Sequence, residues 1–420
     1  MDSTLQPTPM NALLKKATII DSRSPFHKQR LDIKIENGII AAIAKDIPLE
    51  DGFELIDYEN LHVSEGWFDS SVSFGEPGYE ERGSIKNGLD VAAKSGFTAV
   101  ALNPNTNPIL DNQALIDFVI QKSKGAQTKL YPIAAMTKNS DAHNLAELYD
   151  MQKAGAIAFG DYKTPIENAN VLKLAMQYVQ DFNGLIIAFS QDKNIKGIGI
   201  VNEGETSTKL GMKGIPNLSE DIHIVRNLLL LEYTEGKLHV PTISTKKSVE
   251  LIREAKAKGL KVSCSVAVHN LFFTDEVLEG FDSNFKTNPP IRTKQDVEAL
   301  LTGLKDGTID MITSDHNPLD IEHKKLEFDK ATDGIIGLET AFGALNSMLP
   351  LELLIEKLTL SKAVFNIKNQ PIAVGQTANL TLFDPSHSYE FAEKDLLSKS
   401  KNTPFMGKTL KGKVYRVLVG

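Results

Sequence analysis

Polar side chains follow several apolar, strand-like segments of this 420-residue chain. Asp69, Ser71 and Ser73 follow or end the first of these segments, and Asp315 and His316 close the last. In a parallel α/β barrel, groups at the carboxyl ends of the strands converge on one site. Carboxylates there can move a proton or bind a hard cation, whereas neutral serine hydroxyls are poor ligands for a transition metal. The pattern predicts a site at the strand ends, where a metal centre could lie, with few residues that can ligate a metal.

Other strand ends contribute to the same predicted site. They carry Asn103–Pro108 (Asn-Pro-Asn-Thr-Asn-Pro), Asp161, Phe189 and Thr242. The strands that would position them are short apolar segments, namely 97–102, 130–135, 156–159, 185–189, 238–243, 260–266 and 311–313. With the segment that ends near Asp69, this gives about eight strands alternating with helices. That count predicts an α/β fold of the (β/α)₈ TIM-barrel type.

The helix predicted over residues 246–258 has the clearest pattern of the connecting segments. Val249 with Ile252, and Leu251 with Ala255, are spaced for one buried side, and Gly259 can end the helix in a left-handed conformation. This residue spacing is typical of a helix packed on the outside of a sheet.

Both ends of the chain are predicted to form β-structure. Residues 13–21 and 31–44 favour strands, with an Asn-Gly hairpin turn at 37–38, and residues 379–384 and 413–419 favour two more. The expectation is a small β-sandwich domain built from both termini. The predicted boundaries are residues 1–61 and 370–420 for that domain and 62–369 for the barrel, with residues 1–10 as a loose lead-in.

Composition excludes several classes of function. The 46 basic and 54 acidic residues give a net charge of −8, so there is no basic surface of the kind that nucleic acid requires. No stretch reaches the 18 or so apolar residues of a membrane span. Cys264 is the only cysteine, so no intrachain disulfide can form, and it is expected to be a buried apolar side chain. A cytoplasmic protein without nucleic-acid or membrane partners is expected.

Five motifs, taken in order along the chain, resemble those of the dihydroorotases of the cyclic amidohydrolase superfamily. They are Asn103–Pro108, Asn202–Gly204 through Gly211–Pro216, Lys286–Arg292, Ser314–Pro318 and Gly334–Thr340. The resemblance covers nearly the whole chain. It implies a metal-activated hydroxide that attacks a ring amide, with an aspartate that shuttles the proton.

The resemblance also assigns the family's metal ligands to positions in this chain. These positions are Ser71, Ser73, Asp161, Phe189, Thr242 and Asp315. All four histidines of the family's set are replaced, and only the two carboxylates remain. Asp161 has the position of the bridging carboxylate, and Asp315 has the position of the ligand that also acts as the catalytic base.

The substrate-binding positions are changed in a similar way. The resemblance places retained residues at Asn105, Asn288 and Gly334, and replaced residues at Gly75, Leu319 and Asp333. The family's arginine at position 75 and histidine at position 319 would both hold the substrate carboxylate. Position 333 would carry a phenylalanine that lines the pocket.

Two aspartates without imidazoles would bind at most a hydrated cation such as magnesium, and only weakly. Without a strong Lewis acid, water has no way to become a nucleophile at neutral pH. No cofactor is therefore expected, although zinc would be required if the protein is an active enzyme.

Structural interpretations of the same residues stay open. Asp315 would then be a hydrogen-bonded buried carboxylate, and Asp161 a cap of the following helix. The Asn288-Pro-Pro unit would be structural, with Arg292 paired on the surface. Asn105 would be a turn residue. A substitute metal site is a further alternative, made from three histidines near strand ends: His239, His269 and His316.

Three functional hypotheses follow. The first is a catalytically inactive dihydroorotase-like protein that acts as a structural or regulatory partner, with aspartate transcarbamoylase as the candidate partner and a homodimer as the expected assembly. The second is an active dihydroorotase or related cyclic amidohydrolase with an atypical metal site. The third is a sensor of a pyrimidine-like ligand, based on Asn105, Asn288 and Gly334.

Overall fold

The computed structural model describes residues 10–420, so nearly all of the predicted lead-in at 1–10 lies outside the described residues. The strands are β1 (Ala12–Ile19), β2 (Arg30–Glu36), β3 (Ile39–Ala44), β4 (Glu54–Ile56), β5 (His62–Glu65), β6 (Trp67–Val72), β7 (Phe97–Leu102), β8 (Lys129–Ala134), β9 (Ala158–Phe159), β10 (Ile186–Ile187), β11 (Val201–Asn202), β12 (Gly214–Ile215), β13 (Leu238–Val240), β14 (Val262–Ala267), β15 (Met311–Thr313), β16 (Asn379–Glu390) and β17 (Thr409–Val419).

The α-helices are α1 (Ile85–Lys94), α2 (Gln113–Lys122), α3 (Leu148–Ala154), α4 (Ala169–Tyr178), α5 (Lys193–Lys196), α6 (Glu205–Leu210), α7 (Asn217–Thr234), α8 (Lys246–Ala257), α9 (Val268–Phe272), α10 (Lys294–Lys305), α11 (Ile321–Lys324), α12 (Leu338–Leu345) and α13 (Leu351–Thr359). Short 3₁₀ turns occupy Lys138–Ser140, Val179–Phe182, Asp275–Gly280, Ser283–Phe285, Leu360–Phe365 and Glu393–Asp395.

Eight strands form one parallel sheet in the order β6-β7-β8-β9-β10-β13-β14-β15. These are the eight strands that the apolar segments predicted. The carboxyl end of β6 also lies beside the chain just after β15, because Val72 forms a parallel bridge with His316 and the Ser73 amide donates to the His316 carbonyl over 2.7 Å. The contact brings Asp69, Ser71 and Ser73 beside Asp315, although about 240 residues of chain separate them.

The helix predicted at 246–258 is α8. Thr245 caps its first turn by accepting a hydrogen bond from the Ser248 amide. Val249, Ile252 and Ala255 are buried, as their spacing predicted, whereas Leu251 is only half-buried. Gly259 follows the last turn at φ +80°. The amphipathic pattern and the end signals of this segment agree with one another, which is why its limits were predictable.

A second sheet combines strands from both ends of the described chain. Its order is β17-β16-β5-β1-β2-β3, with β4 paired to β1, and Asn37 and Gly38 turn between β2 and β3 at positive φ. The sheet has seven strands and its own apolar cluster, which includes Leu14, Ile33 and Leu382. The predicted boundary at residue 61 lies directly before β5; the domain limits stay a prediction.

No helix within residues 10–420 has the length and apolar character needed to cross a membrane. The single cysteine, Cys264, is buried and free, as predicted.

Candidate functional site

Asp315 is the centre of the candidate site. It follows β15, is almost fully buried, and has a left-handed backbone with φ +49°. Its Oδ2 accepts a hydrogen bond from the Lys163 ammonium over 2.7 Å, and its Oδ1 accepts from Ser71 Oγ over 3.2 Å and from the Tyr162 hydroxyl over 3.4 Å. Both carboxylate oxygens therefore have protein donors, and the negative charge has a protein counter-ion.

Lys163 reaches Asp315 from the loop after β9. Its backbone also lies in the left-handed region, with φ +53°, which is an uncommon conformation for a residue with a side chain. Burial by itself lowers the pKa of Lys163, but the charge of Asp315 and their hydrogen bond raise that pKa by more. The net shift is upward, so the ammonium stays charged at neutral pH. Burial and the Asp315 charge raise the pKa of the neighbouring Tyr162 to about 12, which keeps the phenol neutral.

Ser71 and Ser73 belong to a network of neutral hydrogen bonds. Asn103 Nδ2 donates to Ser71 Oγ over 3.1 Å and to Ser73 Oγ over 3.3 Å. Ser73 Oγ in turn donates to Asn105 Oδ1 over 2.9 Å. The two positions at which the family resemblance expects imidazoles are thus used to order the loop after β7 and to bind Asp315.

The hydrogen-bond donors to Asp161 are different from those to Asp315. Its Oδ1 accepts from the Met136 amide over 2.8 Å and the Thr137 amide over 3.0 Å, and its Oδ2 accepts from the Thr137 hydroxyl. The carboxylate thus holds the loop after β8. The interpretation of Asp161 as a cap of the next helix is wrong, because Asn168 caps α4. Burial raises the pKa of Asp161 to about 6, although the hydrogen bonds oppose that shift.

Phe189 and Thr242 line a small cavity together with Lys163, Asp315 and His239. The cavity volume is about 30 Å³, enough for one or two water molecules. Both Phe189 and Thr242 are buried. Thr242 has φ +50°, which is a strained conformation for a β-branched residue. A cavity of this volume is too small for a six-membered ring.

The residues at this site do not fit a zinc ion. Within residues 10–420, no group of three or more His, Cys, Asp or Glu side chains is arranged to hold a metal. Structural and catalytic zinc sites use at least three such ligands. Asp315 is bound to an ammonium, and both oxygens of Asp161 accept hydrogen bonds from the loop after β8. Lys163 supplies the positive charge that a cation would bring.

The alternative of a substitute histidine cluster is wrong for the described part of the chain. His239 hydrogen-bonds Ser263 over 2.9 Å and Ser265 over 3.2 Å, so both of its ring nitrogens have partners. His316 Nδ1 accepts from the Gly337 amide over 3.3 Å. Burial lowers the pKa of each of the three histidines to about 3, so all are neutral at pH 7.

The retained substrate-binding positions mostly contact other protein groups. The Asn288 side-chain amide pairs with that of Gln191, with N···O distances of 2.9 and 3.3 Å. Gly334 has φ +140°, and a Cβ atom there would lie 2.5 Å from Asn317 Nδ2, so the backbone itself requires glycine. Asn105 accepts from Ser73. Whether any of the three contacts a ligand stays a prediction.

The replaced substrate-binding positions also contact other protein groups, and Gly75 lies in a tightly packed loop. A Cβ atom on Gly75 would lie 1.9 Å from the Tyr79 carbonyl oxygen, and the Tyr79 amide donates to the Gly75 carbonyl over 2.7 Å. An arginine cannot be placed there without moving this loop. Leu319 is buried, and its amide donates to Asn402 Oδ1 over 3.1 Å. Asp333 is half-buried and accepts from Asn317 through its backbone carbonyl over 3.4 Å.

Arg292 does not lie on the surface, where the sequence analysis expected it. It is fully buried: Nε donates to Ser244 Oγ over 3.0 Å, and Nη1 donates to the Ile215 carbonyl over 2.8 Å. A carboxylate oxygen of Glu220 lies 3.7 Å from Nη2. These partners are 48 to 77 residues away in the chain, so no local pattern revealed them.

Lys163 and Tyr162 are the site residues that sequence reasoning missed. The available signal was a lysine two positions after a candidate metal ligand, Asp161. A cation so close to a metal site is unfavourable by charge repulsion. It could therefore have been recognised as an argument against a metal.

The comparisons with known proteins identify the family of this chain. A family model described as "Dihydro-orotase-like" matches residues 62–248. A dihydroorotase from Thermoanaerobacter sp. (strain X514) is 40% identical over 413 residues, which are 96% of this chain and 95% of that protein. The chain belongs to the dihydroorotase family. A second member, a dihydroorotase from Geobacter metallireducens, is 37% identical over 98% of both chains.

Solved structures support the fold of this dihydroorotase-family protein. An L-hydantoinase (dihydropyrimidinase) from Arthrobacter aurescens superimposes with a TM-score of 0.85 at 23% identity, covering 98% of this chain and 95% of that one. A dihydropyrimidinase from Brevibacillus agri NCHU1002 gives a TM-score of 0.82 at 19% identity, covering 98% of this chain and 94% of that one. At these identities the likeness concerns the fold alone.

Proposed function

We propose that this member of the dihydroorotase family does not hydrolyse a ring amide and acts through contacts with other proteins in pyrimidine biosynthesis. The observation that carries the proposal is the ion pair between Lys163 and Asp315. A carboxylate in the position of the catalytic base is bound to an ammonium. Its oxygens are then occupied by protein donors and are not free to ligate a metal.

Two further observations support the absence of hydrolysis. None of the six ligand positions carries an imidazole, so zinc would have no nitrogen donor. The cavity beside Asp315 has room for one or two waters and not for a pyrimidine ring, since pockets for small molecules usually have several hundred cubic ångströms. Degeneration of the metal site is accordingly part of the proposal.

Metal analysis beside an activity assay tests this proposal. The protein is purified without chelators, its zinc content is measured, and the ring opening of dihydroorotate is followed. The dihydroorotase from Thermoanaerobacter sp. (strain X514), prepared in the same way, is the positive control. We expect no stoichiometric zinc and no ring opening. Bound zinc together with ring opening above the buffer blank would favour the alternative of an active cyclic amidohydrolase and overturn the proposal.

The proposed partner is aspartate transcarbamoylase, the candidate that the family resemblance implies. Co-purification from the native host, followed by reconstitution from the two purified proteins, tests this assignment separately. A complex with a defined stoichiometry would support it, and no association in either experiment would contradict it. The ligand-sensor alternative has less support, because the Asn288 amide is paired with Gln191. A thermal-shift screen with orotate, dihydroorotate and carbamoyl aspartate tests it, and stabilisation by any of them would revive it.

We also propose the finer description of the fold. The eight parallel strands would close into a (β/α)₈ barrel at the Val72–His316 bridge, and the terminal strands would form a small β-sandwich domain. A reducing cytoplasm is the proposed location, consistent with a single buried, free cysteine.

A further inference from the structure

A wide groove opens beside the loop that follows β15. It lies between three segments that are distant in the chain, namely 282–284, 319–325 and 399–402, and we call it the rim groove. Its volume is about 650 Å³, which is typical of pockets for small organic molecules. No residue of its lining also lines the small cavity beside Asp315, so the rim groove is a separate feature of the molecule.

Hydrogen bonds between these segments fix the walls of the rim groove. Asn402 Oδ1 accepts from the Leu319 amide over 3.1 Å, and Asn402 Nδ2 donates to the Asn317 carbonyl over 3.0 Å. Ser283 Oγ donates to the Lys324 carbonyl over 2.6 Å. Because the walls are held by the protein itself, binding in the groove requires little ordering of the chain.

Part of the groove surface is aliphatic. Ile321 is 68% exposed, and Leu319, two positions earlier, also belongs to the lining. The methylene chains of the lining lysines add apolar area, since a lysine stem can lie along the surface while its ammonium stays in water. Contact with an apolar ligand would remove this surface from water, which is favourable. The groove therefore favours a ligand with an apolar body.

Lys324 is the unusual charged residue of the lining. Only 4% of it is exposed, and a lysine buried so deeply is normally paired with a carboxylate, as Lys362 is with Glu65 over 2.8 Å. The Lys324 ammonium instead donates to two backbone carbonyls, those of Lys286 over 3.2 Å and Thr332 over 3.1 Å. No carboxylate within residues 10–420 lies at ion-pair distance from it.

The positive charge of Lys324 is poorly compensated by its surroundings. Burial lowers the pKa of Lys324 to about 7. The charges of Asp333 and Asp282 oppose this shift, whereas those of Lys286 and Lys163 add to it. An anion bound beside the ammonium would supply the missing counter-charge.

Two further lysines of the lining also lack a carboxylate partner. Lys325 is exposed, and its ammonium has no hydrogen bond or ion pair with any residue that the structure describes. Lys399 is exposed, and its ammonium donates to the Glu80 carbonyl over 2.9 Å. A fourth lysine, Lys401, is paired with Glu393. Three of the four positive charges of the groove are thus left for an anion.

The three carboxylates of the lining already have protein partners. Glu81 and Asp320 lie 3.5 and 3.7 Å from Arg82 Nε. Asp282 Oδ1 accepts a hydrogen bond from the Asn284 amide over 2.9 Å. With four lysines and three carboxylates the lining is slightly positive, in a chain whose net charge is −8. The charges of the groove therefore favour a negatively charged ligand.

We propose that the rim groove binds a small organic acid, with its carboxylate beside Lys324 and its apolar body against Ile321. An uncharged apolar molecule would leave the buried ammonium without a counter-ion. An inorganic anion would leave the aliphatic wall in water. A carboxylate on a hydrocarbon chain matches both features. The proposal goes beyond the proposed function and does not depend on whether the protein hydrolyses a ring amide.

Calorimetric titration of the full chain with three eight-carbon probes tests the ligand class. The probes are octanoate, octanol and octylammonium, which share one apolar chain and differ in charge. We expect octanoate to bind at one site per chain and the other two to bind at least about tenfold more weakly, because neither offers a charged acceptor to the ammonium. No binding of octanoate at millimolar concentration, or equal affinity for octanol, would overturn the proposal.

Substitutions in the lining test the location. Lys324→Met should weaken octanoate binding about tenfold and leave octanol binding unchanged. Ile321→Asp should weaken the binding of both, because it places a carboxylate on the aliphatic wall. Lys330→Met is the matched control, since Lys330 is an exposed lysine of the same loop, is paired with Glu327 over 3.3 Å and lies outside the lining.

Thermal melts establish that each variant is folded. If Lys324→Met does not fold, Ile321→Asp decides the location, because its side chain is on the surface. Octanoate affinity that is unchanged in folded Lys324→Met or in Ile321→Asp would overturn the proposal. An equal loss of affinity in Lys330→Met would also overturn it, since the effect would then come from the general surface charge.

Discussion

The ammonium of Lys163 lies 2.7 Å from Oδ2 of Asp315, the carboxylate that the family resemblance assigns as a metal ligand. Both residues have left-handed backbones, so the chain accepts two strained conformations to bring them together. In this pair the two buried charges neutralise each other, and both come from the protein. It also gives an almost fully buried aspartate the counter-ion that a buried charge requires.

Substitutions of Lys163 and Asp315 should have strongly coupled effects on the free energy of unfolding. Lys163→Met leaves a buried carboxylate without a counter-ion, and we expect the free energy of unfolding to fall by about 3 kcal/mol. Asp315→Asn should cost a similar amount, because it leaves the ammonium unpaired. The double variant should lose clearly less than the two together, with a coupling of at least about 1 kcal/mol in urea unfolding. Additive losses would show that the ion pair contributes little.

Rebuilding the ligand set should create zinc affinity that the wild type lacks. The variant carries histidine at Ser71, Ser73, Phe189 and Thr242 and Met in place of Lys163, which releases Asp315. We expect zinc to bind tightly only when Lys163 is also replaced, because an ammonium at the site repels the cation. Competition with a chromophoric chelator measures the affinity. Equal zinc affinity in the four-histidine variant that retains Lys163 would contradict this role of the lysine.

Phe189 should stabilise the protein by filling the vacated ligand position. Phe189→Ala removes a buried ring and should lower the free energy of unfolding by about 3 kcal/mol, whereas Phe189→Leu keeps most of the volume and should cost about half as much. Chemical denaturation measures both. A loss below about 1 kcal/mol for the alanine variant would mean that the ring is not packed as described.

Gly75 should not tolerate a side chain. Gly75→Ala places a methyl group 1.9 Å from the Tyr79 carbonyl oxygen, so we expect a loss of about 1–3 kcal/mol from the forced loop movement. Gly83→Ala is the matched control in the same loop, because its nearest neighbour, Asn87 Oδ1, is 3.7 Å from the added carbon. The control should stay within about 0.5 kcal/mol of wild type. Equal stabilities for the two variants would show that the loop can open to accept an arginine.

Asp161 should make stability depend on pH in an unusual direction. Its pKa is raised from 3.8 to about 6 in the folded protein, so the native state holds this proton more tightly than the unfolded state. Relative to Asp161→Asn, the wild type should therefore lose stability as the pH rises from about 4 to above 6. A shift of about 2 pKa units corresponds to at most about 3 kcal/mol.

Unfolding at several pH values measures this difference between the two proteins. Asp141→Asn is a control of opposite sign, because backbone hydrogen bonds from His143 and Asn144 lower the pKa of the exposed Asp141 carboxyl. Wild type should gain stability over that variant as the pH rises through the range just below 3.8. A flat difference for Asp161→Asn between pH 4 and 7 would contradict the raised pKa.

Much of the architecture could be predicted because it depends on short-range patterns in the sequence. The eight strands were predicted from apolar segments, and α8 from side-chain spacing and its final glycine, because each depends on neighbours within a few positions. The pairing of the two β-rich ends was a weaker inference from composition, and it was correct because strands at both ends need partners. The short pair β11–β12 was missed, since two-residue strands have no readable period.

The candidate site likewise has a part that the sequence could predict and a part that only the fold decides. The identities of Ser71, Ser73, Phe189 and Thr242 were enough to predict that nitrogen ligands are missing, because metal affinity depends on donor atoms that a residue either has or lacks. The contact between Lys163 and Asp315 was not predictable. Lys163 and Asp315 are 152 positions apart, and only the meeting of strand ends brings the ammonium to the carboxylate.

The sequence alone determined the family, the order of strands and helices and the absence of histidine at positions 71, 73, 189 and 242, since these are properties of residue type and short-range spacing. Only the tertiary structure decided which charges meet, which carboxylates are already bound, and which buried lysine is left without a carboxylate. Burial and charge pairing depend on groups brought together from distant parts of the chain. Arg292 shows this most directly: its surroundings predicted an exposed residue, and the fold places it at full burial.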